Sequence, residues 1–297
     1  MSDFKSLLGP MRLSFIILTP ICVLLGISTA YLETGNINWL FSILIIVGAV
    51  SAHISVNAFN EYFDFKSGLD LKTKRTPFSG GSGTLPKNPK MLRSTIYIAW
   101  ISFLVTLFIG LYFVYSVGWE LLPLGLFGLL MVYIYTKWIT HNPLLCLIAP
   151  GLSFGILMVM GTHFVLTGHY SWIAFIASLI PFFLVNDLLL LNQFPDVLAD
   201  KTVGRLHYPI AIGLKKSSKI YIVFLIIPYL ILILAVVFNL LPVLSLLGLL
   251  TVFIAYPLSE GVLKNAEDID KLIPYMGKNV LINLLFPALV AIGIFLS

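Results

Sequence analysis

Residues 57–70 read NAFNEYFDFKSGLD and follow directly on the apolar run 39–56. Two asparagines, a glutamate and two aspartates thus stand at the end of a segment that is otherwise at home in lipid. Acids at such depth are costly, and they face a bundle interior or a water-filled cavity. On a helix, positions i, i+4, i+7 and i+11 share one face. His53, Asn57, Asn60 and Asp64 have that spacing and form one polar stripe. The device returns 132 residues later, where Asn192-x-x-x-Asp196, followed by Asp200, repeats Asn60-x-x-x-Asp64. Pro195 loosens this second stripe. The echo suggests two related halves, about 1–140 and 141–297, within one domain spanning 1–297.

The rest of the chain says what kind of protein carries these motifs. Of 297 residues 59% are hydrophobic and only 10% charged, with a mean hydropathy of +1.01. Soluble domains carry roughly 25% charged residues, so the composition indicates an integral membrane protein. The apolar runs are continuous rather than alternating, which selects helices over a closed barrel. Nine spans are expected, at about 12–32, 39–60, 92–116, 119–138, 143–166, 172–195, 219–238, 241–258 and 279–296. Lys5 and Arg12 precede the first, which reads as a retained span rather than a cleaved leader. Cys22 and Cys146 fall inside spans and match no metal spacing.

With nine spans, all 18 lysines and arginines fall on one side. The other loops offer only Glu33, Glu120 and His169. The positive-inside rule then places the N-terminus and the long loops in the cytoplasm and the C-terminus outside. A net charge of +5 follows from this asymmetry and points to anionic lipid rather than nucleic acid.

Asp64, Asp70, Asp196 and Asp200 with Asn60 and Asn192 supply hard oxygen ligands without a His or Cys cluster, a set that suits Mg²⁺ or Mn²⁺. Magnesium completes its shell with substrate phosphates, and Lys72, Arg75, Lys137, Lys201 and Arg205 are cations suited to those phosphates. A metal-bridged anion at the mouth of an apolar bundle points to a lipid diphosphate.

The motifs NEYFDFKSGLD and NQFPDVLADK together resemble the two aspartate-rich motifs of the UbiA superfamily of intramembrane prenyltransferases. The resemblance covers nearly the whole chain and implies an all-α, nine-helix bundle with both motifs on the cytoplasmic side of a cell (plasma or inner) membrane. It further implies a polyprenyl diphosphate held through Mg²⁺ by Asn60, Asp64, Asp70, Asn192, Asp196 and Asp200. An aromatic acceptor then captures the allylic cation. Tyr133-Ile-Tyr135-Thr-Lys137 resembles a family Tyr-x-x-x-Lys element, with Lys137 a diphosphate ligand; Arg12, Asn57 and Arg75 join the same diphosphate set. His53 is a candidate for the acceptor hydroxyl or for a base. Asp187 and the glycine-rich stretch TPFSGGSG, residues 76–83, are left without a role.

Five residues separate Asp64 from Asp70, and DFKSGLD resembles the MenA-like branch, which prenylates 1,4-dihydroxy-2-naphthoate in menaquinone synthesis. Glu61 departs from the usual Asp. Another acceptor, such as 4-hydroxybenzoate or a lipid alcohol, or a terpene cyclisation, would use the same ionisation. A secondary transporter would place its acids near the midplane at broken helices rather than at one face. The DGxxAR opening of CDP-alcohol phosphotransferases is missing.

Overall fold

The structure is a computed structural model and describes residues 8–297, so Lys5 lies outside the described residues. Every element among the described residues is a helix or a turn. The helices are α1 (Leu18–Thr34), preceded by the short piece Gly9–Ile16, α2 (Trp39–Lys66), α3 (Pro89–Val117), α4 (Trp119–Ile134), α5 (Pro143–Thr167), α6 (Trp172–Asn192), α7 (Leu214–Val237), α8 (Val243–Asn265) and α9 (Ile269–Phe295).

Seven of these, α2, α3 and α5–α9, are long and apolar enough to cross a membrane. The two remaining expected spans differ from expectation for local reasons. Gly9–Ile16 and α1 are bent by 44° to one another and make an eighth span only if counted together. Arg12 holds a left-handed φ of 51°, and Pro20, in the first turn of α1, has no N–H to bond back to Ile16. Helix α4 stops at Ile134, short of the expected 138, and unwinds into turns before Pro143. At a rise of about 1.5 Å per residue it falls short of a bilayer core of about 30 Å.

Helix α6 is the hub, with Ala174, Ala177, Ile180, Leu184, Leu188 and Leu191 all buried. Around it Leu18, Leu25, Val159, Tyr221, Leu225, Leu258, Ile282 and Phe286 close the largest apolar core. A second core joins Val23, Ile45, Phe113, Leu121 and Phe164 on the side of α2 and α3. Against these, whole faces of α3 and α7 remain apolar and exposed (Tyr97, Ile101, Phe108, Val223, Leu230, Leu234), the surface a multi-pass membrane protein turns to lipid. Trp39, Trp119 and Trp172 stand exposed where α2, α4 and α6 begin, as interfacial aromatic anchors do.

Helix α5 is irregular where it matters. Pro150 interrupts it, and Leu152–Leu157 form a π-helical stretch. Such stretches are rare and cluster at functional sites. Gly151 and Gly155 let α5 lie against the α6 backbone; a Cβ on Gly151 would stand 2.0 Å from the Phe182 carbonyl oxygen.

Candidate active site

The first motif is one continuous helix for longer than expected. Asn57, Asn60, Glu61 and Asp64 all lie on α2, which runs to Lys66 rather than ending near 60. The five-residue gap before Asp70 is the helix stop itself. Ser67 N–H bonds the Phe63 carbonyl, and Gly68 turns the chain with a φ of +77°. A short 3₁₀ turn, Leu69–Leu71, then returns Asp70 to the stripe, where it is buried. The second motif is built differently. Helix α6 ends at Asn192, Gln193–Asp196 is a turn at Pro195, and Asp200 sits on a separate short helix, Val197–Lys201.

Despite this difference the two motifs face one cavity of about 410 Å³. Arg12, His53, Asn57, Asn60, Asp64, Asp70, Asn192, Asp196, Asp200 and Arg205 all line it, so ten of the expected site residues are brought together. Lys72, Arg75, Tyr133, Lys137 and Lys201 are not among its lining. Tyr133 and Tyr135 are two residues apart on a helical segment and so point away from each other; Tyr135 reaches the cavity. Lys137 is exposed, donates to the Tyr133 hydroxyl at 3.3 Å, and lies 4.6 Å from the centre of the Phe63 ring. Lys72 and Lys201 are also exposed. Arg75 is occupied by the glycine-rich loop, donating from Nε to the Gly81 carbonyl at 3.2 Å.

Two arginines organise the acids. Arg205 spans the motifs, with Nη2 on Asp64 and Nη1 on Asp200 at 3.1 Å. His207 Nε2 meets the other oxygen of Asp200 at 3.0 Å. Arg12 donates to Glu61 and to Asn60, each at 2.8 Å. Glu61 in turn accepts from the Ser82 N–H at 2.6 Å and the Ser82 hydroxyl at 2.8 Å, fastening the loop over the acids. The loop comes close: a Cβ on Gly81, whose φ is +71°, would stand 3.2 Å from both Asp70 Oδ1 and Glu61 Oε1. Thus Glu61, Tyr135 and His207 belong to the site although the motif spacing did not single them out. Their only signals were an extra acid inside the first motif, a second tyrosine beside Tyr133, and His207 two residues after Arg205.

Three oxygens remain uncommitted. Asp70 Oδ2, Asn192 Oδ1 and Asp196 Oδ1 are buried without hydrogen-bond partners. Burial, then the charges of Asp64 and Glu61, push the Asp70 carboxyl up to about 7. Burial, then Asp200, does the same for Asp196. Orphaned hard oxygens on residues short of positive charge fit a divalent cation such as Mg²⁺.

A family model described as the UbiA prenyltransferase family matches residues 19–296. The chain belongs to this family. Among its relatives, a 1,4-dihydroxy-2-naphthoate octaprenyltransferase of Bacillus subtilis is 28% identical over 65% of this chain, and the match spans 61% of that protein's length. Two solved UbiA homologues share the fold. The apo structure of one from Aeropyrum pernix K1 superposes with a TM-score of 0.73 at 16% identity, over 96% of this chain and 98% of the other. One from Archaeoglobus fulgidus, bound to DMAPP and Mg²⁺, gives 0.63 at 15% identity, over 98% of this chain and 100% of the other. The UbiA resemblance read from the two motifs therefore holds, and it holds for the whole bundle.

Proposed function

We propose that this UbiA-family protein transfers a polyprenyl group from a prenyl diphosphate to an aromatic acceptor, 1,4-dihydroxy-2-naphthoate. One observation carries the reading: the uncommitted oxygens of both motifs converge at the polar end of a cavity whose other walls are apolar. Gly48, Thr106, Leu124, Gly125, Leu129, Leu157 and Met158 belong both to that cavity and to a second, almost wholly apolar one between α2, α3, α4 and α5. The two adjoining cavities together offer room for a long isoprenoid tail. The acceptor is supported by the DFKSGLD wording and by the activity for which the Bacillus relative is named.

The chain's own groups divide the work. Asn60, Asp64, Asp70, Asn192, Asp196 and Asp200 hold Mg²⁺, which when bound offsets charge developing on the departing pyrophosphate. Arg205 and His207 fix the orientation of Asp64 and Asp200, and Arg12 adds positive charge beside Asn60. Phe15, Phe78, Tyr135 and Phe154 line the cavity, and aromatic rings there favour an allylic cation while keeping water out. His53 is positioned by Thr19 Oγ1 at 2.8 Å and by a T-shaped contact with Phe154, ring centres 4.8 Å apart. From there it meets an acceptor hydroxyl. The allylic C–O bond breaks, a carbon–carbon bond forms on the ring, and pyrophosphate and a proton leave. The basic loops support a site that opens to the cytoplasmic side of the cell membrane, with the N-terminus inside and the C-terminus outside.

The test incubates purified protein, Mg²⁺ and a polyprenyl diphosphate with dihydroxynaphthoate or 4-hydroxybenzoate and reads products by mass spectrometry. A prenylated naphthalene product is expected. Pyrophosphate release with neither acceptor modified would overturn the acceptor assignment and leave the ionisation chemistry in place.

A further inference from the structure

The far end of the bundle holds a second convergence of ligands. Glu33 from the last turn of α1, His163 from the end of α5 and His169 from the α5–α6 connection bring one ligand atom each to within 4.8 Å of one another. His163 is fully buried, and its Nε2 has no hydrogen-bond partner.

The protons decide what this cluster can hold. His169 Nδ1 lies 3.3 Å from the Thr167 carbonyl, which only accepts, so Nδ1 carries the hydrogen. The Thr29 hydroxyl gives its single hydrogen to the Gly26 carbonyl at 2.9 Å and accepts from His163 Nδ1 at 3.1 Å. Both imidazoles, when neutral, therefore aim an Nε2 lone pair at the same atom, Glu33 Oε2, from 3.4 Å and 3.0 Å. The other carboxylate oxygen is taken by the Ser171 hydroxyl. Three lone pairs facing one another repel unless a metal ion or a proton lies between them. Metal-binding histidines characteristically donate their second ring N–H to an oxygen, as both do here. The spacings also suit a tetrahedral ion, whose ligand atoms stand about 3.3 Å apart for bonds near 2.05 Å.

We propose that Glu33, His163 and His169 form a divalent transition-metal site, filled by Zn²⁺. Two imidazoles and one carboxylate suit zinc rather than magnesium. The side chains of His169 and Glu33 are 60% and 21% exposed, which provides an entry path and an open fourth position. The ion ties α1, α5 and the α5–α6 connection together at the end of the bundle away from the diphosphate cavity. It is independent of the prenyl-transfer reading.

The test adds Co²⁺ to the full, metal-free protein in detergent and follows visible absorption, with a parallel melt in Zn²⁺. One equivalent of Co²⁺ giving intense bands, and a rise in melting temperature with Zn²⁺, are expected. His169→Gln, at an exposed position that folding tolerates, weakens both by at least about tenfold. Asp196→Asn leaves the Co²⁺ bands unchanged, which separates this site from the aspartate cavity. Absence of the bands in the wild type, their persistence in His169→Gln, or their loss in Asp196→Asn would each overturn the assignment. A proton shared by the three groups instead of a metal gives the first of these results.

Discussion

The two aspartate motifs carry the same residue types at the same initial spacing, yet the structure uses them differently. In the first, Asn60, Glu61 and Asp64 lie on an unbroken helix and are already engaged, by Arg12, Ser82 and Arg205. In the second, the chain breaks at Pro195, and Asn192 and Asp196 each present a buried oxygen with no partner. The first motif is therefore engaged at three residues and open only at Asp70, while the second is engaged at Asp200 alone and open at Asn192 and Asp196. A buried acid gripped by an arginine fixes geometry; a buried acid left alone waits for a cation.

That contrast breaks most sharply under charge removal. Both Asp64→Asn and Asp196→Asn should lower turnover at least about a hundredfold in the mass-spectrometric assay, since each deletes charge aimed at the leaving group. They should part in thermal melts without metal. Asp64→Asn leaves Arg205 with one carboxylate fewer and lowers the melting temperature; Asp196→Asn removes an uncompensated buried charge and does not. Equal melting shifts would erase the division of labour.

Next in size is Glu61→Gln, which keeps the shape of the first motif but not the charge that meets Arg12 and the Ser82 N–H. Breaking one side of a buried charged pair costs about 3–5 kcal/mol when nothing relaxes. Because the loop over the acids can lift, we expect a drop of about tenfold in turnover and faster proteolysis at residues 76–83. An unaltered cleavage rate would show that Glu61 does not fasten the loop.

The pH response sharpens the comparison further, because each motif contributes one raised carboxyl, Asp70 and Asp196, both near 7. Unfolded aspartates titrate near about 3.9. Between about 4 and 7 the metal-free folded protein thus holds protons that the unfolded chain has released, so its stability falls as pH rises through that window. Mg²⁺ selects the ionised forms. Its stabilising effect on the melt should therefore grow between pH 5.5 and pH 7.5, and an equal Mg²⁺ shift at both would contradict the ligand assignment. The smallest effect belongs to Lys137→Ala. Lys137 sits over Phe63 outside the cavity, and turnover should stay within about threefold, whereas loss on the scale of Asp196→Asn would restore it as a diphosphate ligand.

Much of this is legible in the amino-acid sequence. The seven long helices announce themselves because lipid demands unbroken apolar runs, and the paired Asn-x-x-x-Asp motifs because helical spacing stacks them on one face. What stayed hidden depended on where helices stop. Asp70 returns to the cavity only because Gly68 turns the chain, and Tyr135 rather than Tyr133 faces inward, just past a helix that ends at Ile134. Arg205 was named for its charge, but its bridge between the motifs and His207 beside it lie in a connection with no period to read. Arg75 and Lys72 had the charge suited to a diphosphate, but charge alone does not say where a side chain points.

The Arg205 bridge has a consequence for how the protein is made. Asp64 and its partner are 141 residues apart, an interval that takes roughly 7–28 s to translate at ordinary rates of 5–20 residues per second. Throughout that time the first half carries Asp64 without the arginine that binds it in the finished site. The first-motif stripe thus reaches its finished geometry only once Arg205 is present. The guanidinium that joins the two motifs also acts as a latch on assembly, closing the bundle only when both halves are present.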